Sequence, residues 1–290
     1  KRTLSVFDET KILYEIDLKE NFSENPSKIL KLNKEAFIAK FLLQVRDSYF
    51  IAPFTLDSVA KNPEGSLQAL KEYDLAVIAK PSEAFSESEK QVLDQYLMNG
   101  GKTIWLVDQV VAEIDSLYNP SGASLAYPRD LNINDLFFKY GIRINPDIVK
   151  DEQGSPIQLA SGEPGSATRF QQFNWKYAPL VTPISTHPIV KNLGGIKFDF
   201  ANSIDTLKNS IKKTVLLQSS PYSKRVGTPT AINLSMVSET TSPADYPNTG
   251  GIPLAVLLEG SFHSAFENRI KAFEQTNFQS TSKPTKMIVI

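Results

Sequence analysis

The sequence contains no cysteine. Disulfide bonds, thiolate metal sites and a cysteine nucleophile are therefore excluded. The cellular compartment stays open, because a chain without cysteine suits both a reducing cytosol and a periplasm in which no disulfide is needed.

Histidine and net charge are also scarce. The two histidines, His187 and His263, lie far apart and offer none of the short spacings that zinc sites use. Thirty-one basic residues balance thirty-two acidic ones, which gives a formal charge of −1. This balance argues against nucleic acid and anionic membrane as partners, because both need a basic surface.

Long apolar runs are missing as well. No stretch approaches the roughly 18 residues that a membrane-spanning helix needs, and the start lacks the basic and apolar regions of a signal peptide. The chain opens on Lys1-Arg2-Thr3-Leu4 and stops in Met287–Ile290, an apolar strand pattern with no turn after it. We therefore expect a soluble piece of a longer protein, with any membrane anchor outside this sequence.

With 290 residues, 41% of them hydrophobic and 22% charged, the chain can bury a sizeable core. It is organised around the stretch Tyr73–Asp108. Two short apolar runs in this stretch, Leu75–Ala79 and Thr103–Val107, show no polar alternation, which is typical of strands buried on both faces of a parallel sheet. We therefore predict a βαβ unit with a right-handed crossover.

The helix between these two strands has both of its ends marked. Ser86 and Glu89 form a capping-box pattern at the start, and Gly100 can end the helix in the left-handed conformation. The predicted apolar face holds Val92, Leu93, Tyr96 and Leu97, and the other faces hold Glu87, Lys90, Asp94 and Gln95.

Further elements are predicted on both sides of this unit. Before it we expect a strand at Lys11–Leu18, a helix from Asn33, an edge strand at Tyr49–Leu56 with Pro53, and a short helix at Ser66–Tyr73. After it we expect helices at Val110–Leu117 and Leu131–Tyr140, and a closing helix or turn at Phe262–Ala265 and Glu267–Phe273. We also expect strands at Ile142–Ile144, Ile157–Leu159, Ile196–Ala201, Thr214–Gln218, Ile252–Glu259 and Met287–Ile290.

This order of elements predicts an α/β fold. We expect a mostly parallel, doubly wound sheet with helices on both faces and additional strands in the C-terminal half. Residues 1–150 would form the α/β core. Residues 151–290 would continue it with strands and loops, packed as one unit with the first half.

Asp108 is the first candidate for chemistry. It follows an apolar strand at the sheet edge where ligands bind in open α/β folds, so its carboxylate could bind a metal ion or a ribose. Without a glycine-rich fingerprint, the capping of a helix that starts near Val110 is the favoured interpretation.

Other candidates are weaker. Ser219-Ser220-Pro221 is the closest serine cluster to a hydrolase site, but no G-x-S-x-G motif is present and such a turn is usually structural. Gly162–Ser166 resembles a phosphate loop superficially and lacks its Gly-Lys-Ser/Thr ending. The tyrosines that could expose polar tips to a protein partner are Tyr14, Tyr118, Tyr127, Tyr177, Tyr222 and Tyr246.

Several segments in order resemble the GldG family, the gliding-motility-associated auxiliary components of ABC-type transporters in Bacteroidetes. The resemblance runs from about Tyr49 to Gly260. It is carried by Ile51–Val59, Tyr73–Gln109, Ala126–Asn132, Phe137–Pro146 and Lys213–Pro221.

The resemblance implies a periplasmic α/β domain on the inner membrane, held by transmembrane helices beyond both ends. Its fold would be similar to the glutamine-amidotransferase-like fold, which is flavodoxin-like or Rossmann-like. The implied partners are an ABC-type permease subunit and, through it, a cytoplasmic ATPase. Other gliding or secretion proteins and a second copy of the chain stay open. No catalytic, cofactor-binding or metal-binding residue and no cofactor is implied.

Two classes of function compete on these grounds. The favoured hypothesis is a non-catalytic domain that acts by protein interaction or substrate engagement. The alternative is a hydrolase or amidotransferase-like enzyme, which would need an unrecognised serine or metal site because the cysteine nucleophile is missing. Capture of a small solute is a third hypothesis and predicts a deep pocket near Asp108.

Overall fold

The computed structural model describes residues 3–8, 50–161, 169–246 and 249–290. The predicted strand at Lys11–Leu18 and the predicted helix from Asn33 lie outside these residues. The described strands are β1 Thr3–Asp8, β2 Phe50–Thr55, β3 Leu75–Ala79, β4 Lys102–Leu106, β5 Val110–Val111, β6 Ala123–Pro128, β7 Ile142–Ile144, β8 Asp147–Asp151, β9 Gly154–Ser161, β10 Arg169–Val181, β11 Ile196–Lys197, β12 Ile204–Thr206, β13 Lys212–Gln218, β14 Ser223–Gly227, β15 Thr230–Asn233, β16 Pro253–Gly260 and β17 Thr285–Val289. The described α-helices are α1 Pro63–Leu70, α2 Glu87–Met98 and α3 Asn134–Tyr140.

Within the described residues the fold is mostly β, with seventeen strands and three α-helices. The largest sheet has seven strands in the order β13-β16-β17-β4-β3-β1-β2, and the smaller sheets are antiparallel. Within the large sheet only the pairs β17–β4 and β3–β4 are parallel, while the other four pairs are antiparallel. The predicted mostly parallel, doubly wound α/β fold, and with it the amidotransferase-like fold, is therefore wrong.

The error has a physical cause. An unbroken apolar run shows that a strand is covered on both faces, but it does not set the direction of the neighbouring strand. The run in β16 illustrates this, because Leu254–Leu258 is fully buried between two antiparallel neighbours. Strand direction follows from the connections, and here β17 is reached through an irregular segment after β16 instead of through a helix.

The central βαβ unit itself is confirmed. β3 and β4 pair in parallel, with Ile78 opposite Trp105, and the Trp105 side chain is 1% exposed. At the start of α2 the backbone N–H of Ser86 donates to Glu89 Oε2 at 2.7 Å, and the Glu89 N–H donates to Ser86 Oγ at 3.3 Å. Gly100 follows the helix at φ +98°, where a residue with a Cβ would be strained.

The predicted polar faces of α2 are wrong for three of their four residues. Lys90, Asp94 and Gln95 are at most 1% exposed. Residues 261–283 cover Asp94 and Gln95, whereas Lys90 is paired with Asp135 of α3 and with Glu87. Gln95 donates to the Gln279 carbonyl at 2.9 Å, and Asp94 accepts from Ser264 Oγ at 2.7 Å. This covering segment contains turns and no helix at Phe262–Ala265 and Glu267–Phe273, where a closing helix or turn is predicted.

Smaller differences affect the flanking elements. Among the described strands β2 is an edge strand as predicted, since it lies at the end of the large sheet. The predicted helix at Val110–Leu117 is wrong, because β5 and a 3₁₀ turn at Ile114–Leu117 occupy these positions. Within the described residues no helix has the length and apolar character needed to cross a membrane.

A carboxylate in β12 joins two of the small antiparallel pairs. Asp205 accepts hydrogen bonds from Arg143 in β7 at 2.9 Å and from Arg225 in β14 at 2.6 Å. Asn145 donates to it as well, at 2.9 Å. Partial burial alone would raise the pKa of Asp205, but these hydrogen bonds outweigh burial and lower the pKa to about 2.

This ion cluster predicts a defined loss of stability in acid. The pKa of Asp205 is lower in the folded chain than in the unfolded chain, so its contribution is present above about pH 4 and disappears as the pH falls toward 2. Asp205→Asn should lower the free energy of unfolding by roughly 1 kcal/mol at neutral pH, a value that allows for the partial exposure of the ion pair. It should also flatten the pH dependence of the free energy of unfolding between pH 4 and 2. Urea unfolding at several pH values measures this free energy for the unaltered chain and the variant. An unchanged slope between pH 4 and 2 in the variant would contradict the prediction.

Candidate interaction surface

The candidate surface begins where β3 and β4 end. Lys80 follows β3 with φ +49°, an uncommon conformation for a residue with a side chain. Its Nζ lies 3.5 Å from Asp108 Oδ2 and 3.5 Å from Glu113 Oε1. Asp108 therefore takes part in an ion pair at this edge. The predicted capping role is wrong, because strand β5 and not a helix begins at Val110.

The first strand of the small sheet β5-β6-β15 follows Asp108 directly in the sequence. In β6, Leu125 is 57% exposed and Tyr127 is 47% exposed, while Ala126 between them is buried. Their cross-strand partners are small or apolar, since Leu125 pairs with Ala231 and Tyr127 pairs with Val111. We call this open side, defined by Leu125, Tyr127, Val111 and Ala231, the β6 face.

The opposite side of the same sheet explains why the β6 face points outward. Val110, Ala126 and Ile232 belong to a buried cluster that also contains Trp175 and Tyr177. Because successive side chains of a strand point to opposite faces, burying Ala126 forces Leu125 and Tyr127 to the outside.

Charged and aromatic groups border the β6 face. Tyr118, which is 56% exposed, ends the 3₁₀ turn after Glu113. Arg129 follows β6, and its guanidinium donates to the Pro81 carbonyl at 3.4 Å. An exposed aromatic and aliphatic centre with charged groups at its margin is the composition that protein interfaces favour.

The two serine candidates serve as structural groups. Ser219 is buried, and its Oγ lies 2.6 Å from Ser223 Oγ and accepts the Ile252 N–H at 2.8 Å. Ser220 Oγ donates to Asp151 Oδ1 at 2.6 Å and accepts the Tyr222 N–H at 3.0 Å. These bonds fix the turn between β13 and β14, which fits the structural interpretation of the Ser-Ser-Pro sequence.

The histidines are engaged locally. His187 Nδ1 accepts the Ile189 N–H at 3.3 Å, and His263 Nδ1 lies 3.3 Å from Thr281 Oγ1. Across the part of the chain that the structure describes, no group of three or more His, Cys, Asp or Glu side chains could hold a metal ion. Gly162–Ser166 and Tyr14 lie outside the described residues.

The candidate tyrosines divide into two groups. Tyr118, Tyr127 and Tyr222 are exposed, as an interface role requires. Tyr177 and Tyr246 are buried instead. Burial, followed by the hydrogen bond to Glu152, raises the pKa of Tyr246, and the Lys150 ammonium lies 5.6 Å from the centre of the Tyr177 ring.

A shallow depression of about 160 Å³ lies at the opposite end of the parallel strands from Asp108. Its lining includes Asp74 before β3, Lys102 at the start of β4, and Tyr96, whose hydroxyl donates to the Tyr73 carbonyl at 2.9 Å. Burial raises the pKa of Tyr96, so its hydroxyl stays protonated. This small polar site does not match the deep pocket near Asp108 that solute capture predicts.

Sequence reasoning identified Asp108 and Tyr127 but missed their neighbours. Leu125, Lys80 and Glu113 carried no motif that marked them. The exposed, buried, exposed order in β6 spans only Leu125, Ala126 and Tyr127, which is too short to give a clear sequence signal.

Comparison with known proteins gives an extended match to a protein family. A family model described as "ABC-type uncharacterized transport system" matches residues 19–290. No curated protein matches the chain. Among solved structures, one described as "mmIFT52 N-terminal domain" aligns with 16% sequence identity and a TM-score of 0.39, covering 77% of this chain and 68% of that chain.

Proposed function

Because the chain belongs to the family described as an ABC-type uncharacterized transport system, we propose that it is a non-catalytic domain that docks onto a transporter through the β6 face. The family match over residues 19–290 carries this proposal, and it supports a transport-associated role. The engagement of Ser219 and Ser220 in structural hydrogen bonds adds support for a role without catalysis.

The proposal extends to the place and the partners of the domain. The protein would be a GldG-type component in Bacteroidetes, required for gliding motility and held at the periplasmic side of the inner membrane by helices outside this sequence. Its first partner would be the permease subunit, and the cytoplasmic ATPase would be reached through the permease. Other gliding or secretion proteins and a second copy of the chain are further candidate partners.

The charge balance determines what kind of contact to expect. With a formal charge of −1, the surface gives little long-range steering toward a charged partner. Contact would therefore rest on the apolar and aromatic side chains of the β6 face, with the Lys80 cluster at its margin. Screening by salt acts on exposed charges, so the complex should weaken only slightly as the ionic strength rises.

Affinity purification tests the proposal directly. The full-length anchored protein is isolated in mild detergent at low and at high salt, and the proteins recovered with it are identified by mass spectrometry. We expect the permease and the ATPase at both salt levels. Recovery of neither from an intact, correctly inserted protein would overturn the proposed function.

The β6 face has its own test within this experiment. Leu125→Asp combined with Tyr127→Asp places two carboxylates on the proposed contact and should reduce recovery of the permease by about tenfold or more, because desolvating unpaired charges is costly. Phe138→Asp is the matched control, since Phe138 is an exposed aromatic (64%) on α3, outside the β6 face. It should leave recovery unchanged. Equal recovery with the double variant and the control would place the docking surface elsewhere.

A further inference from the structure

Side-chain contacts, and not strand pairing, hold one segment between β15 and β16 to the rest of the chain. It comprises Leu234–Tyr246, and we call it the strap. Its 3₁₀ turn at Leu234–Ser238 contains no buried residue. The backbone hydrogen bonds described for residues 235–245 stay within the strap, as in the bond from the Glu239 N–H to the Met236 carbonyl at 3.2 Å. The strap can therefore move away without breaking a strand pair.

Two buried lysines bind the strap. Lys150 in β8 and Lys176 in β10 are each 7% exposed. Lys150 Nζ is paired with the Glu239 carboxylate. Lys176 Nζ donates to the Glu239 carbonyl at 3.0 Å and to Thr241 Oγ1 at 2.8 Å. Both ammonium groups are thus in contact with the same short stretch of the strap.

The charges at these two lysines balance only while the strap is closed. Glu152 Oε1 lies 3.0 Å from Lys176 Nζ, so Lys176 has a carboxylate that does not belong to the strap. Among the described residues Lys150 pairs with Glu239 alone, and its other charged contact is the ring of Tyr177 at 5.6 Å. A lysine in this setting needs a carboxylate beside it, because an unpaired buried charge is strongly destabilising.

The strap also covers part of an aromatic cluster. Met236 and Val237 pack partly buried against the cluster that contains Trp175 and Tyr177. Trp175 Nε1 and the Oγ of Ser155, which lies opposite Trp175 in the register of β9 and β10, are buried without hydrogen-bond partners in the described part of the chain. Opening of the strap would let water or a ligand reach these polar groups, which lowers the free energy that opening requires.

We propose that the strap is an internal ligand of a docking site, and that an acidic segment of a partner protein can take its place. The docking site consists of Lys150, Lys176 and the adjoining aromatic cluster. The strap itself indicates the chemistry that this site accepts, since two apolar side chains, Met236 and Val237, precede the carboxylate of Glu239. The lysines supply the charge complementarity for such a segment, and the aromatic cluster supplies apolar contact area.

The closed strap is therefore an autoinhibitory contact. A partner segment binds only the open state, so its apparent affinity is reduced by the fraction of chains in which the strap is closed. This inference goes beyond docking through the β6 face, because it concerns other residues and does not require a transporter subunit.

Amide hydrogen exchange of the 290-residue chain tests whether the strap opens locally. Glu239→Gln should speed the exchange of the strap amides about tenfold, because the charge-assisted bond to Lys150 is lost. The amides of Ile148–Lys150 in β8 should exchange at an unchanged rate. Glu72→Gln is the matched control, since it removes an exposed carboxylate elsewhere, and it should leave the strap amides unchanged. Strap amides that respond equally to both substitutions would overturn the inference.

Binding of a synthetic peptide tests the docking site. The probe is a fluorescent peptide with the sequence of residues 232–246, and its anisotropy reports binding. The Glu239→Ala chain should bind this peptide about tenfold more tightly than the unaltered chain does, because the strap then competes less. The same peptide carrying Glu239→Ala should bind about tenfold more weakly. Adding Lys150→Met to the Glu239→Ala chain should remove the gain in affinity.

The Glu72→Ala chain is the control for the loss of one negative charge and should bind the peptide no better than the unaltered chain. Circular dichroism confirms that each variant is folded before it is compared. Three results would overturn the inference: no gain in affinity with the Glu239→Ala chain, equal binding of both peptides, and a gain that survives Lys150→Met. Recovery of the permease tests the β6 face without this peptide, so the two proposals fail independently.

Discussion

Replacing Asp94 by alanine is expected to lower the free energy of unfolding by about 3–5 kcal/mol, since each buried donor that loses its acceptor costs about 1–3 kcal/mol. Asp94 is fully buried in α2. Its carboxylate accepts from Tyr140 Oη at 2.8 Å, Ser264 Oγ at 2.7 Å and the Ala265 N–H at 2.8 Å. Gln95 Nε2 donates to it as well, at 3.0 Å. Alanine would leave all four donors without this acceptor.

Hydrogen exchange and urea unfolding together check this expectation. The amides of Ala265 and its neighbours should exchange faster in Asp94→Ala, because the carboxylate attaches residues 261–283 to α2. Asp94→Asn should lose less, since its amide keeps an acceptor for Ala265 and the hydroxyls can turn to accept. Glu72 is an exposed acidic residue, and Glu72→Ala serves as the control. It should change the free energy of unfolding by less than about 0.5 kcal/mol. A loss below about 1 kcal/mol in Asp94→Ala would refute the role of the carboxylate.

Replacing Trp105 by alanine should have an effect of similar size, about 3–5 kcal/mol, because it opens a large cavity in the core. Trp105 lies in β4 between two parallel neighbours and is 1% exposed. Its ring meets Phe137 edge-on at 5.1 Å between centroids and Phe85 at 6.1 Å. Edge-to-face pairs add about 0.5–1.5 kcal/mol beyond the buried area.

The variant Trp105→Phe distinguishes the contribution of packing to stability from the contribution of the indole N–H. The buried Trp105 Nε1 has no hydrogen-bond partner among the described residues. Phenylalanine removes this polar group and keeps much of the side-chain volume. Trp105→Phe should therefore lower the free energy of unfolding clearly less than Trp105→Ala does. Phe138→Ala, at an exposed aromatic, serves as the control and should change stability by less than about 0.5 kcal/mol. Urea unfolding can be followed by Trp175, the other tryptophan. Equal losses for alanine and phenylalanine would contradict a packing role.

The sequence by itself determined the local features of this protein. The capping box at Ser86, the left-handed Gly100 and the edge position of β2 all depend on neighbouring residues or on proline chemistry, and all three are present. The parallel pair β3–β4 also followed from the sequence, because one helix of suitable length joins two buried strands.

Part of the candidate site could be predicted in the same way. Asp108 was placed at the carboxyl edge of β4 by its position after an apolar run, and Tyr127 was among the candidate interface tyrosines. The role of Asp108 could not be predicted, because its partner Lys80 comes from another strand and carries no motif.

Only the tertiary structure decided the direction of most strands and which faces are covered. The pattern of α2 predicted polar faces for Lys90 and Asp94, but segments distant in the chain cover both residues. Asp135 of α3 pairs with Lys90, and Ser264 and Ala265 donate hydrogen bonds to Asp94. Leu125 and Tyr127 are the opposite case, because they are an apolar and an aromatic residue that stay exposed. The packing of Ala126 into the core leaves their side of the sheet open. Residue spacing sets which side chains share a face, whereas contacts between segments far apart in the chain set whether that face meets protein or water.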